Sequence, residues 1–138
     1  MRLYNIYGKL QKKNVGPYLI KWNGKSRSKI QYAVKQFLKP FWKAQMVYEE
    51  FPVYGTKLKV DILNATKKIA IEVNGKQHSC FNEFFHAKSR TNYLKSIKRD
   101  IQKSEWLEKN SFELIEIEQD EVGQLSKKFF KEKFNILL

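Results

Sequence analysis

Two short apolar runs, residues 57–63 and 68–73, flank the turn-forming Asn64-Ala65-Thr66, and each carries one acid into sequence that otherwise reads as buried sheet. Their Val and Ile content predicts an antiparallel hairpin. Alternation assigns the faces: Leu58, Val60 and Ile62 against Lys59 and Asp61, then Ile69, Ile71 and Val73 against Ala70, Glu72 and Asn74. A tight register centred between Ala65 and Thr66 sets Asp61 opposite Ala70 and Lys59 opposite Glu72. Asp61 and Glu72 then become diagonal neighbours on one face, about 7–8 Å apart at the backbone. Two carboxylates at that spacing can hold one hard divalent cation, Mg²⁺ or Mn²⁺, and the small Ala70 leaves room for it. A slip of one residue would separate them.

Charge says what such a site would meet. The chain has 138 residues, enough for a single domain. It carries 27 Lys and Arg against 14 Asp and Glu, a formal charge of +13. That exceeds what solubility asks of a small domain and calls for a polyanion. A membrane surface is the competing polyanion, but the sequence has no apolar run of transmembrane length, no signal peptide and no lipidation motif, so nucleic acid is the expected partner. The single cysteine, Cys80, allows no internal disulfide and no zinc cluster, which suits a reducing, cytoplasmic setting.

The remaining chain supplies a frame. Residues 3–7 and 18–22 alternate weakly around a basic Gly16-Pro17 connection, so residues 1–25 predict an N-terminal hairpin or arm whose Lys12 and Lys13 track phosphate. Ile30, Ala33, Val34, Phe37, Leu38 and Phe41 recur at helical spacing, with Pro40 expected to end or kink the helix near Lys39. Ser28 and Gln31 form a capping-box pattern at its start. Residues 45–53 read as a first strand with Glu49 and Glu50 near its end, and Pro52 marks an edge or a turn. Residues 79–90 read as a loop or short helix in which His86 can contact DNA. A helix over 91–109 places Leu94, Ile97 and Ile101 inward, with Trp106 and Leu107 as further inward candidates, and Lys98, Arg99 and Lys103 facing phosphate. A strand over 112–117 follows, and a last helix, capped by Asp120, fills residues 119–138. The expected fold class is α/β, a central mixed sheet flanked by helices.

These residues resemble the PD-(D/E)XK nucleases, and within them the very-short-patch-repair-like endonucleases and their homing-endonuclease relatives. Asp61, the hairpin, and then Ile71-Glu72-Val73-Asn74-Gly75-Lys76-Gln77-His78 are similar to that branch's D … IE-x-(D/N)-G-x-x-H core. Lys98-Arg99-Asp100-Ile101-Gln102-Lys103, followed by the strand, resembles its RD-x-x-K helix. The likeness covers residues 26–118 and implies a restriction-endonuclease-like core. It implies a Mg²⁺- or Mn²⁺-dependent endodeoxyribonuclease of the repair-nicking, homing or junction-resolving kind, acting as monomer or homodimer in the cytoplasm, the nucleoid or a phage-infected cell.

The resemblance also distributes roles. Asp61, Glu72 and the Val73 carbonyl would hold the metal, Glu50 would add an acid, and Asp100 would belong to the site. Asn74 stands where the family's lysine usually falls and Gln31 where a helical glutamate is expected. Lys76, Gln77 and His78 are then the candidates for general base, His78 having a pKa suited to neutral pH. Lys59 would join Lys98, Arg99 and Lys103 in holding DNA. The competing reading is a nucleic-acid-binding module that keeps the fold without the activity.

Overall fold

The computed structural model describes residues 1–75 and 87–138. Lys76, Gln77, His78, Cys80 and His86 lie outside the described residues. A four-stranded mixed sheet runs in the order β3 (Val47–Pro52), β4 (Lys59–Asn64), β5 (Ile69–Asn74) and β6 (Glu113–Glu118). The first three strands are antiparallel neighbours, and β6 lies parallel to β5. That crossover is made by helix α2 (Ala87–Lys109), which begins earlier than residue 91.

Helices cover both faces. On one face, α1 (Lys29–Trp42) and α3 (Lys127–Phe134) bury Val34, Leu38, Trp42 and Phe130 against Ile62, Ile71, Val73, Ile115 and Ile117. On the other, Trp106 and Leu107 of α2 pack with Phe51, Tyr54, Val60, Leu63 and Ala70. A small hairpin of β1 (Arg2–Tyr4) and β2 (Leu10–Lys12) rests on that second face. Trp106 Nε1 donates to the Tyr4 carbonyl at 2.7 Å, and Tyr4 N–H donates to Asn110 at 2.8 Å. Among the described residues no helix is long and apolar enough to cross a membrane.

Several expectations are corrected. The second strand of the N-terminal hairpin is β2, not residues 18–22, because Pro17 fixes a 3-10 turn over Gly16–Tyr18. α1 runs through Pro40 to Trp42, since Trp42 is fully buried and its packing outweighs one missing helical hydrogen bond. Leu94, Ile97 and Ile101 are exposed rather than inward, because α2 meets the sheet through Trp106 and Leu107 near its C-terminal end. The last helix is capped by Ser126, which accepts the Phe129 N–H at 3.0 Å. Asp120 lies instead in a 3-10 turn, Gln119–Gln124, whose capping box joins Glu118 and Glu121.

Candidate active site

The β4–β5 hairpin pairs Ile62 with Ile71, Leu63 with Ala70 and Asn64 with Ile69. This register lies two residues from the tight one expected, because a longer turn keeps Asn64 in the strand, where its side chain caps the Lys67 N–H at 2.9 Å. A shift of two preserves the side-chain face. Continued one step, it sets Asp61 opposite Glu72 directly rather than diagonally. The pair lies toward one end of the two central strands, not at the edge of the sheet.

The neighbouring ladders extend the pair into a row. Glu49 pairs with Ile62 and Phe51 with Val60, so Glu50 falls opposite Asp61; across the parallel ladder Glu72 pairs with Glu116. Glu50, Asp61, Glu72 and Glu116 therefore stand at one level, one acid from each strand. The backbone breaks its alternation at this level. Glu50, near the end of β3, adopts a left-handed φ of 53°. Beyond it Phe51 and Val60 pack on the α2 side, while Ile62 packs on the α1 side. This breaks the face that alternation gave to Val60 and Ile62 together.

The row opens into a cleft of about 390 Å³ lined by Glu50, Glu72, Asn74, Asp100 and Glu116, and by the cations Arg27, Lys57, Lys59, Arg99 and Lys103. Asp61 lies beneath, 2 % exposed. Its Oδ2 accepts the Val73 N–H at 2.8 Å and its Oδ1 meets Arg27 Nη2 at 3.2 Å. Thus Val73 presents its N–H, not its carbonyl, to Asp61. Arg27 also approaches Glu50 at 3.9 Å. Lys103 Nζ donates to Glu72 Oε1 at 3.0 Å, so this expected phosphate contact is engaged with the acid itself. Burial pushes the Glu72 carboxyl well above the usual range, and the Asp61 carboxylate beside it pushes further, with Lys103 opposing.

Gln31 does not close a capping box. Ser28 accepts the Gln31 backbone N–H at 3.2 Å, but the fully buried side chain turns to the acids, Nε2 donating to Glu49 at 2.9 Å and to Glu50 at 3.2 Å. Its Oε1 is buried without a partner among the described residues. Glu49 belongs to the α1 face, where it also accepts from Ser26 (2.7 Å) and from the fully buried Lys35 (3.1 Å). Asn74 lines the cleft while donating to Glu118 at 3.2 Å. Lys12, Lys13 and Lys98 do not line the cleft; Lys13 sits over the Tyr54 ring at 5.3 Å.

Sequence reasoning missed Arg27, Lys35, Lys57 and Glu116. Glu116 could have been found, since it occupies the strand position that alternates with the apolar Ile115 and Ile117. Among the described residues no group of three or more His, Cys, Asp or Glu side chains comes close enough to hold a metal ion. The row is close at the backbone, while Glu50 and Asp61 are drawn to Arg27 and Glu72 to Lys103.

The chain is 36% identical over 81 residues, 59% of its length, to the uncharacterized protein 033L of Invertebrate iridescent virus 3. It spans about two fifths of that relative, 41% of its length. No family model matches the chain. No solved structure matches it either.

Proposed function

We propose that the protein is a divalent-metal-dependent DNA endonuclease with the restriction-endonuclease-like core of the PD-(D/E)XK branch. The observation that carries this reading is the acid row, one residue from each strand, facing the cations of α2 and Arg27 across a single cleft. The donor set suits Mg²⁺ or Mn²⁺, which favour anionic oxygen ligands. The raised Glu72 carboxyl supports the same conclusion, because crowded carboxylates are relieved by a bound dication. Asp61 and Glu72 would hold the ion. Bound there, it would polarise the phosphodiester, lower the pKa of its water and stabilise the leaving oxyanion.

The chain's own residues do the rest. The Val73 N–H fixes the orientation of Asp61, and Lys103 fixes that of Glu72. Arg99, Lys57 and Lys59 draw phosphate into the cleft. The resemblance leaves Lys76, Gln77 and His78, four to six residues beyond Glu72 in sequence, as the candidates for general base. One cleft serves one strand, so a monomer nicks and a double-strand cut needs a second copy or a second visit.

A second reading, a binding module without activity, is favoured by the pairing of Arg27 with Asp61 and of Lys103 with Glu72, which neutralises the acids without metal. Supercoiled plasmid incubated with Mg²⁺, Mn²⁺ or EDTA separates the two. The nuclease reading expects nicked or linear product with metal and none with EDTA. Intact plasmid in all three, with DNA still bound, favours the module.

A further inference from the structure

The loop over residues 21–27 carries more than Arg27. Lys21, Lys25 and Arg27 are exposed, while the carbonyls between them turn the other way. The buried Lys35 of α1 donates to the carbonyls of Lys21 at 3.0 Å and Gly24 at 2.7 Å. Beside it, Gln36 Nε2 donates to the Trp22 carbonyl at 2.5 Å, and Lys39 Nζ reaches Asn23 Oδ1 at 2.8 Å. In a planar trans peptide the C=O and the following N–H point in opposite directions. Three carbonyls drawn onto α1 therefore send the N–H groups of Trp22, Asn23 and Lys25 outward. The loop keeps its negative ends inside and presents N–H groups and cations outside, the makings of an anion receptor.

A groove of about 380 Å³ lies against this loop, lined by Tyr18, Lys21, Lys25, Ser26 and Arg27. It shares Arg27 and Glu50 with the carboxylate cleft, so the two spaces meet at the guanidinium that touches Asp61. Glu49 on its wall does not oppose an anion, because its carboxylate is taken up by Lys35, Ser26 and Gln31.

We propose that the 21–27 loop is a backbone-phosphate subsite that grips the DNA strand beside the bond presented to Asp61 and Glu72. The proposal rests on the nucleic-acid reading above and deepens it. Main-chain N–H groups and flexible cations contact phosphate and not base edges, so the grip is independent of sequence.

The test is the double substitution Lys21→Ala, Lys25→Ala, which removes two exposed cations and disturbs no packed side chain. Fluorescence anisotropy with labelled duplexes in EDTA reads binding apart from cleavage. The slope of log affinity against log salt should become shallower by about 1.8, and affinity should fall about thirtyfold at roughly 0.15 M salt, since each phosphate contact contributes about 0.9. Two duplexes of unrelated sequence should lose equally. Lys128→Ala with Lys131→Ala, the same charge loss on a helix that lines neither groove, should leave the slope unchanged. Equal flattening by both pairs would reduce the effect to net charge and overturn the subsite. An unaltered slope in the loop variant, beside a flattened one in Arg99→Ala, would overturn the subsite and leave the nucleic-acid reading standing. No salt-dependent binding by the unmodified protein would remove both. A protein that leaves plasmid intact yet shows the loop effect keeps the subsite and loses only the hydrolysis.

Discussion

Glu49 and Glu50 are neighbours on one strand and share the Gln31 amide, yet the two charge networks they enter differ in kind. On the α1 face Glu49 is met by Lys35, Gln31 and Ser26, and Lys35 in turn finds three acceptors. On the α2 face Glu50, Asp61 and Glu72 stand at one level with Arg27 and Lys103 for counterions, beside an open cleft. A buried polar network with its partners in place specifies and rigidifies a fold. Carboxylates crowded beside open space hold unfavourable electrostatic energy that a bound cation can release. Gln31 touches both networks and belongs wholly to neither.

The contrast can be broken by removing one member from each side. Lys35→Met should destabilise the protein by about 3–5 kcal/mol, because it strands Glu49 and two loop carbonyls. Chemical denaturation measures this, and a loss under about 1 kcal/mol would mean that the α1 network is not closed in solution. Asp61→Ala and Glu72→Ala should act on chemistry instead. Each should cut metal-dependent plasmid cleavage by more than about a hundredfold, beyond what loss of an outer-sphere partner costs. DNA binding should hold or tighten, since a carboxylate leaves the path of a polyanion. Cleavage retained in both variants would end the two-carboxylate reading.

The smallest effect concerns pH. Glu72 titrates near 8 in the folded protein, against an ordinary value of 4.5, chiefly through burial and then through Asp61. Between those values the folded state binds more protons than the unfolded one. Its contribution to stability is therefore full below about pH 4.5 and lost as pH rises through about 8. Melting temperature without metal should fall across that window, and Glu72→Gln should flatten the fall. Parallel melting curves for both proteins would show that the acids are not crowded.

Much of the sheet was legible because its apolar runs are short and bounded, and parity is a forgiving code. A register wrong by two still put Asp61 and Glu72 on one side. What alternation could not express was the left-handed residue at Glu50, which hands Phe51 and Val60 to the other layer. Helical periodicity misled at Leu94, Ile97 and Ile101, since a stripe says only that a face exists, not that anything covers it. Arg27 and Lys35 were invisible for a different reason. Each acts across distance in sequence, on Asp61 and on Glu49, and a single basic residue in a basic chain carries no local mark.

The acid row draws on residues 50, 61, 72 and 116, and its cations come from a loop ahead of α1 and from the helix that follows β5. No shorter stretch of the chain contains the cleft. A ribosome making this protein would have exposed Glu50, Asp61 and Glu72 well before β6 could dock beside them. The cleft is thus complete only once the whole sheet has assembled, and a copy truncated before β6 lacks the Glu116 side of it. Completion of the cleft is tied to assembly of the sheet through which strand contributes which acid.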